Sequence, residues 1–204
     1  MRRVWNSRPV ARQAYNALIE AGYVERMRGR GTFVRTADTR GRFIDKQLSF
    51  AQEMNILGLP HRTVLLAKEW VSYTPELFSE LALKPADRCC HIVRMRYAAE
   101  KPFVLVENYI PEPVFPGIDQ YDFEQRSLYD VFEKEYRVHV VRSRRTIAAQ
   151  LATAEQAALF GTRRGSPVMH VKNVVFDQYD RPIDLSKEYL DGYTKKFEFE
   201  VLNT

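Results

Sequence analysis

The sequence predicts an α+β protein in which a small basic segment precedes a larger domain with a mainly antiparallel sheet flanked by helices. From Leu48 onward, several segments rich in β-branched and aromatic residues follow one another without an intervening helix. Strands connected in this way pair antiparallel. The helical segments among them begin at serine or threonine, and some end at glycine. With 204 residues and 45% hydrophobic composition, the chain can bury one sizeable core and a small appendage.

The first 35 residues predict a helix followed by a glycine-tipped hairpin. Ser7 can cap the helix, apolar residues then recur at helical spacing, and Gly22 can end it. Short strands at 23–27 and 32–34 flank a turn of glycine and arginine whose small residues can approach a groove closely. Together these features predict the recognition helix and wing of a winged helix-turn-helix DNA-binding domain. The residues expected to contact DNA are Ser7, Arg8, Arg12, Gln13, Arg28, Gly29, Arg30 and Gly31.

The excess positive charge of the chain lies in its N-terminal fifth. Residues 1–42 hold ten arginines, no lysine and three acidic residues, a net charge of +7. Residues 43–204 hold 21 basic and 23 acidic residues, a net charge of −2. Arginine binds phosphates and base edges through paired hydrogen bonds. A solvated basic terminus is the alternative explanation, but the helix and hairpin favour contact with double-stranded DNA.

Composition also indicates the domain limits and the cellular setting. The polar stretch 36–47 predicts a linker, so we expect a DNA-binding domain at 1–35 and a second domain at 48–204. No apolar run is long enough to cross a membrane and no signal peptide is recognisable, which predicts a cytoplasmic protein. Cys89 and Cys90 are adjacent, so a disulfide framework is excluded and buried, reduced thiols are expected.

The elements of residues 48–204 follow from start and stop signals. Pro75 begins one helix directly after a threonine. Thr153 and Gln156 have the spacing of a capping box, and Ser127 has an acidic residue at the same spacing. The predicted helices span 49–57, 74–83, 127–136 and 153–161. The predicted strands span 62–73, 89–97, 102–110, 138–149, 167–176, 183–189 and 197–202, with hairpin turns at 98–101 and 179–182.

Two arginines in one predicted strand form the strongest candidate ligand site. Alternation along 92–97 places the side chains of Arg94 and Arg96 on one face. They repel each other unless an anion lies between them, so the pair suits a phosphate or a carboxylate. The next strand carries Glu107 on an otherwise apolar face, where a carboxylate needs a partner. Glu107 either forms a structural salt bridge with one of these arginines or contacts a ligand.

No set of residues in the sequence points to catalysis or metal binding. The four histidines are scattered, with no pair at metal-ligand spacing. There is no Walker loop, nucleophile elbow or dinucleotide fingerprint. The sequence therefore predicts neither an enzyme nor a resident cofactor or metal. An enzyme would have to use Glu107 or Asp184 as its acid or base.

The order and spacing of these motifs resemble the GntR family of transcriptional regulators, in its HutC subfamily. The resemblance implies a winged helix-turn-helix joined to a ligand-sensing UTRA domain of chorismate-lyase-like fold. The N-terminal matches are Ser7-Arg8, Arg12-Gln13-Ala14, Gly22 and the run Arg28-Gly-Arg-Gly-Thr-Phe-Val34. The matches in the larger domain are Ser49-Phe50, Gly58-Leu59-Pro60, Arg94-Met-Arg96, Pro102, Glu107, Ile110-Pro111, Ser127-Leu-Tyr129 and Ser186.

The resemblance also implies a ligand and its site. In relatives that sense amino-sugar phosphates, the phosphate meets the paired arginines, the serine of a Ser-Phe pair and a helix start of the form Ser-x-Tyr. A helix start with free amides suits an anion. The two carboxylates of the set, Glu107 and Asp184, would face sugar hydroxyls or an amine. The effector-binding residues implied are Ser49, Phe50, Arg94, Arg96, Glu107, Ser127, Tyr129 and Asp184.

We therefore expect a homodimeric repressor whose binding to a double-stranded DNA operator responds to a small anionic effector, such as a sugar phosphate or an organic acid. The chain departs from the family pattern at Asp184, where glutamate is usual, and at Leu190 and Asp191, where an aromatic residue and an arginine are usual. Two helices that precede the recognition helix in a full module have no counterpart in Met1 to Asn6, so either the protein begins upstream or this chain is a shortened form that binds DNA poorly. Two alternatives stay open: an interaction protein forming dimers that do not bind DNA, and an enzyme on the chorismate-lyase-like fold.

Overall fold

The computed structural model describes residues 24–27, 31–34, 49–195 and 197. The chain divides into two units, 1–40 and 41–204. In the first, β1 (Val24–Met27) and β2 (Gly31–Val34) pair antiparallel, which confirms the two predicted strands to within one residue at their ends. Gly31 is the first residue of β2. The predicted recognition helix and the other expected DNA contacts lie outside the described residues: Ser7, Arg8, Arg12, Gln13, Arg28, Gly29 and Arg30.

The second unit alternates helices and strands much as predicted. The helices are α1 (Phe50–Ile56), α2 (Pro75–Glu80), α3 (Leu128–Tyr136) and α4 (Ala154–Phe160), with a 3₁₀ turn at Ile118–Gln120. The strands are β3 (His61–Val71), β4 (Cys89–Ala98), β5 (Lys101–Pro111), β6 (Val140–Leu151), β7 (Pro167–Asp177) and β8 (Pro182–Asp191). Of the predicted strand at 197–202, all but Phe197 lies outside the described residues.

Across residues 49–195 the strands form one six-stranded antiparallel sheet in the order β3-β4-β5-β8-β7-β6. Two three-stranded meanders meet where β5 pairs with β8. The β4–β5 turn is tight because Ala99 and Glu100 both adopt positive φ, 46° and 63°, as a type I′ hairpin requires. The start of β6 falls two residues later than predicted, at Val140, and Arg137 adopts the left-handed conformation that ends α3. The predicted antiparallel α+β fold is confirmed.

Each face of the sheet carries its own hydrophobic core, because alternate residues of a strand point to opposite sides. On β5, Val106 packs in a cluster with α1 and Ile110 in a cluster with α3. Leu105, which directly precedes Val106, packs in a cluster with α4 on the other face. Leu185 of β8 joins α2 on that second face. The sheet is thus covered by α1 and α3 on one side and by α2 and α4 on the other.

Side chains cap two of the helices, one of them at the predicted Thr153. The Ser49 hydroxyl accepts a hydrogen bond from the Gln52 amide at 3.3 Å, and the Gln52 side chain accepts one from the Ser49 amide at 2.9 Å. Thr153 and Gln156 form the same reciprocal capping box at α4. Gly161 ends that helix in the left-handed conformation. Local sequence signals therefore fix where α1 and α4 begin.

The capping box predicted at Ser127 is wrong. Ser127 precedes α3, but its side chain makes no capping hydrogen bond. Asp130, the expected partner, lies 3.6 Å from the ammonium nitrogen of Lys134 one turn later. An (i, i+4) ion pair on the helix surface has taken the place of the cap. The Ser127 side chain is left facing the open space of the candidate site.

The two cysteines are free and buried, as predicted. Burial raises the pKa of both thiols, that of Cys90 to about 12. They therefore stay protonated at neutral pH and act as small apolar side chains. No helix in the described part of the chain has the length and hydropathy that a bilayer crossing requires.

Replacing Gly192 by alanine should destabilise the sheet. The Gly192 amide donates a hydrogen bond to the carbonyl oxygen of Pro167 at 3.0 Å, and an added Cβ would lie 2.8 Å from that oxygen. Because the clash is with backbone, we expect a loss of about 1–3 kcal/mol in the free energy of unfolding, measured by urea titration. Tyr193→Ala, at the neighbouring residue with its side chain 72% exposed, is the control and should change this free energy by less than about 0.5 kcal/mol. Equal effects of the two substitutions would contradict the prediction.

Candidate functional site

A cleft opens on the face of the sheet that α1 and α3 cover. Its cavity volume is about 70 Å³, and it is lined by the starts of both helices and by strands β4 to β8. An adjoining cavity of about 260 Å³ shares five of its lining residues and extends it towards residues 123–126. Six of the eight predicted effector-binding residues line the cleft: Ser49, Phe50, Arg94, Arg96, Ser127 and Tyr129.

The two arginines lie at one end of this cleft, on the face that alternation predicted. Burial and the nearby charge of Arg96 lower the pKa of Arg94 to about 9, and burial lowers the pKa of Arg96. Both guanidinium groups remain charged at neutral pH. Within residues 49–195, neither has a carboxylate within 4 Å, and Nε of Arg94 has no hydrogen-bond partner. The cleft therefore holds two enclosed positive charges that are available to an anion.

A chain of buried hydrogen bonds holds Arg94 in place. Its Nη2 donates to Oδ1 of Asn108 at 2.7 Å, and Nδ2 of Asn108 donates to both carboxylate oxygens of Asp184 at 3.0 and 3.1 Å. The Tyr129 hydroxyl donates to the same carboxylate at 3.0 Å. Because the carboxylate only accepts, the amide of Asn108 must turn its NH₂ to Asp184 and its oxygen to Arg94. The chain thus joins β4, β5, β8 and α3.

Asp184 lies behind the cleft wall instead of in it. Its side chain is fully buried and does not line the cleft, because Asn108 stands between it and the open space. Burial raises the pKa of Asp184 to about 7, although the hydrogen bonds from Asn108 and Tyr129 favour the ionised form. The expectation that Asp184 faces the ligand directly is therefore corrected: it supports two residues that do line the cleft.

The structure places Glu107 on the opposite face of the sheet from the arginines. Glu107 is the ladder partner of Val93, and partners across an antiparallel pair share a face. Its carboxylate accepts a hydrogen bond from the Tyr109 hydroxyl at 3.1 Å and lies 3.6 Å from Nε2 of His91. Burial raises the pKa of Glu107, but these two partners outweigh it and hold the pKa below its usual value. Both expectations for Glu107, a salt bridge to the arginines and a contact in their site, are wrong.

Sequence reasoning missed several polar residues of the cleft. Asn108 and Asn173 are not among the predicted residues, although each occupies a cleft-facing position in its strand. In the sheet they lie in one cross-strand row with Ser186 between them and Arg145 at its end. Glu188 was missed as well, and it is the carboxylate that lines the cleft. Polar residues at inward positions of apolar strands were the available signal, but it needed the register of β5 against β8.

No metal centre competes with this cleft. Among the described residues, no group of three or more histidine, cysteine, aspartate or glutamate side chains could hold a metal ion. The guanidinium groups of Arg94 and Arg96 can only donate hydrogen bonds, which suits an anion and not a cation. The residues that line the cleft therefore match a negatively charged group better than a metal ion.

Comparison with known proteins decides the family. The UTRA domain model matches residues 57–194, most of the chain. The chain belongs to the UTRA domain family. The HTH-type transcriptional repressor NagR of Bacillus subtilis is 26% identical over 186 residues, covering 91% of this chain and 76% of that protein. The probable fructoselysine utilization operon transcriptional repressor of Escherichia coli is 26% identical over 181 residues, covering 89% and 74%.

Solved structures share the UTRA fold. PhnF from Mycobacterium smegmatis has a TM-score of 0.75 at 23% identity, covering 97% of this chain and 86% of that one. The effector domain of the same protein has a TM-score of 0.71 at 21% identity, covering 76% and 95%. The predicted membership of the GntR regulators with a UTRA domain is confirmed, and so is the prediction that the chain is a regulator and not an enzyme.

Stability should depend on pH through Asp184. Because burial raises its pKa to about 7 in the folded chain, from an ordinary value near 4, the folded state binds the proton more tightly than the unfolded state. The stabilisation is complete below about pH 4 and is lost as the pH rises to about 7. The free energy of unfolding of the wild type, relative to Asp184→Asn, should therefore fall across this range in urea titrations. The same difference against the exposed control Asp122→Asn should not follow this course, and a flat profile for Asp184→Asn would refute the assignment.

Proposed function

We propose that this chain is a DNA-binding repressor whose operator affinity is set by a small anionic effector, such as a sugar phosphate, bound in the cleft. The observation that carries the proposal is the pair of enclosed guanidinium groups, Arg94 and Arg96, which line an open cleft without a carboxylate within 4 Å among the described residues. Enclosed like charges that face the same space favour the binding of an anion there.

The helix starts beside the arginines complete an anion site. Ser49 and Ser127 precede α1 and α3 and line the cleft together with Tyr129. The hydroxyl of Ser127 is not used as a cap, so it can donate to a phosphate oxygen. The free amides at the start of α3 face the same end, where the helix dipole favours negative charge. Charge and hydrogen-bond donors therefore converge on one end of the cleft.

The relatives support the repressor part of the proposal. NagR and the fructoselysine operon regulator are both named transcriptional repressors. In this chain the arginine-rich first 42 residues supply the DNA contacts: Arg8 reads a base edge, Arg12 and Gln13 lie near the backbone, and Gly29 is at the wing tip. Two copies, as a homodimer, match a two-fold operator with one recognition helix in each half-site.

Effector binding controls the operator through its preference for one arrangement of the dimer. A ligand shifts such an equilibrium only by the difference between its affinities for the two arrangements, and coupling of about 1–3 kcal/mol is usual. The anion draws together the residues around Ser49, Ser127 and the two arginines, which belong to separate elements. Ordering of these elements is the source of the difference.

Removing the paired arginines should abolish the effector response. Thermal-shift measurements with glucose 6-phosphate, glucosamine 6-phosphate, citrate and inorganic phosphate identify ligands of the wild type. The double variant Arg94→Ala, Arg96→Ala should lose the shift for every anion, because burying a phosphate without these charges is unfavourable. Arg88→Ala, which removes a half-exposed arginine paired with Glu112, is the control and should keep the shift. An unchanged response in the folded double variant would remove the anion site from the proposal.

DNA binding is tested separately with the full chain. An operator is selected from a randomised duplex pool, and its affinity is measured by fluorescence anisotropy at increasing salt. The logarithm of the binding constant should fall linearly with that of the salt concentration, and Arg12→Ala should reduce the slope by about one. Arg88→Ala is again the control, with an unchanged slope. Absence of any selected sequence would favour the interaction protein that forms dimers without binding DNA.

A further inference from the structure

The cleft contains one carboxylate that neither the sequence motifs nor the anion site explains. Glu188, on β8, lines the cleft, whereas Glu107 and Asp184 do not. We propose that Glu188 selects the effector by accepting a hydrogen bond from a hydroxyl or ammonium group at the end of the molecule opposite its anionic group. The inference rests on the proposed function and specifies the class of effector: an anion that also carries a hydrogen-bond donor.

The register of the sheet sets the distance between the two ends of the cleft. Arg94 is the ladder partner of Val106, and Val106 is the ladder partner of Glu188. The three residues thus lie in one row across β4, β5 and β8 on the same face. Two strand spacings separate Arg94 from Glu188, roughly 10 Å between their backbones. A phosphate ester whose polar group lies a few bonds from the phosphate can contact side chains of both strands at once.

The carboxylate of Glu188 is placed to accept a hydrogen bond from a ligand. Within residues 49–195 its carboxylate makes no hydrogen bond and has no cation within 4 Å. The charges that face it are those of Arg94, Arg96 and Arg145, which favour its ionised form from a distance, while burial raises its pKa. Glu188 is only partly buried, and its carboxylate oxygens are accessible from the cleft. A donor on the ligand could therefore reach this carboxylate and take the place of water there.

The floor beside Glu188 adds further polar groups for the same end of the ligand. Asn173 of β7 lines the cleft, and its carbonyl oxygen lies 3.4 Å from Nε of Arg145. Ser186, between Asn173 and Asn108 in the cross-strand row, has a buried hydroxyl without a partner in the described part of the chain. These groups both donate and accept hydrogen bonds, so they match hydroxyls better than an apolar tail. Val104 and Val106 leave the middle of the cleft apolar.

The test compares phosphate esters that differ only in the distal group. Binding of inorganic phosphate, n-propyl phosphate, glycerol 3-phosphate and phosphoethanolamine to the full chain is measured by isothermal titration calorimetry. The wild type should bind glycerol 3-phosphate or phosphoethanolamine about tenfold more tightly than n-propyl phosphate, the size of one hydrogen bond to a charged group. The preferred one of the two shows whether the donor is a hydroxyl or an ammonium group.

Glu188→Gln should remove most of that preference. The amide keeps the shape of the side chain but loses the charge and one acceptor oxygen, so the tenfold advantage should shrink to about twofold or less. Inorganic phosphate should bind the variant as well as the wild type or slightly better, because a negative charge has left the cleft. Glu155→Gln, at an exposed position of α4, is the matched control and should behave as the wild type.

Each other outcome overturns the assignment in a distinguishable way. If Glu188→Gln strengthens the binding of all four anions by the same factor, Glu188 only balances the arginine charges. If the variant no longer binds inorganic phosphate while Glu188→Asp still does, Glu188 supports the arginines and does not select the ligand. If the wild type prefers n-propyl phosphate or shows no preference, the distal end of the effector is apolar. If the wild type binds none of the four, the anion site itself fails, and the proposed function fails with it.

Discussion

The hydrogen-bond chain from Arg94 through Asn108 to Asp184 and Tyr129 determines how this cleft is built. It runs through the interior and fixes a guanidinium group at the edge of an open space. Each member depends on the next, because a buried cation without acceptors or a buried carboxylate without donors is unfavourable. The neutral amide between the two charges keeps them apart, so Arg94 is oriented by Asp184 without being neutralised through direct contact. The positive charge stays available on the cleft side.

The same face of the sheet combines a polar floor with an apolar surround. Arg145, Asn173, Ser186 and Asn108 follow one another across four strands, whereas Ile110 and Val106 continue into the hydrophobic clusters under α3 and α1. Such an arrangement favours the polar row as the place for the polar groups of a ligand. Interactions between charges are stronger in these surroundings than at an exposed surface. A few residues can therefore define both the sign and the length of the molecule that binds.

Local signals in the sequence predicted much of the fold and part of the lining of the cleft. Capping residues located α1 and α4, and alternation along β4 placed both arginines on one face. The prediction for Glu107 is wrong because its face relative to Arg94 depends on the pairing of β4 with β5, in which Val93 is its partner. Local sequence signals do not reveal this pairing. Glu188 and Asn173 are absent from the predicted site because their neighbours on β5 and β6 are distant in sequence. At Ser127 a local signal gave a wrong prediction, since Asp130 forms an ion pair with Lys134 one turn later and not the expected capping box.

The meeting of β5 and β8 has a consequence for how the domain unfolds. These strands join residues 105–109 to 185–189, so this seam is the only ladder between the two meanders among the described strands. Contacts so far apart along the chain form late and open early, since loop closure is costly. A molecule that contacts both Arg94 and Glu188 would cross the β5–β8 pairing and hold the two meanders together. Its occupancy would then be visible as slower amide exchange along β5 and β8, far beyond the atoms it touches.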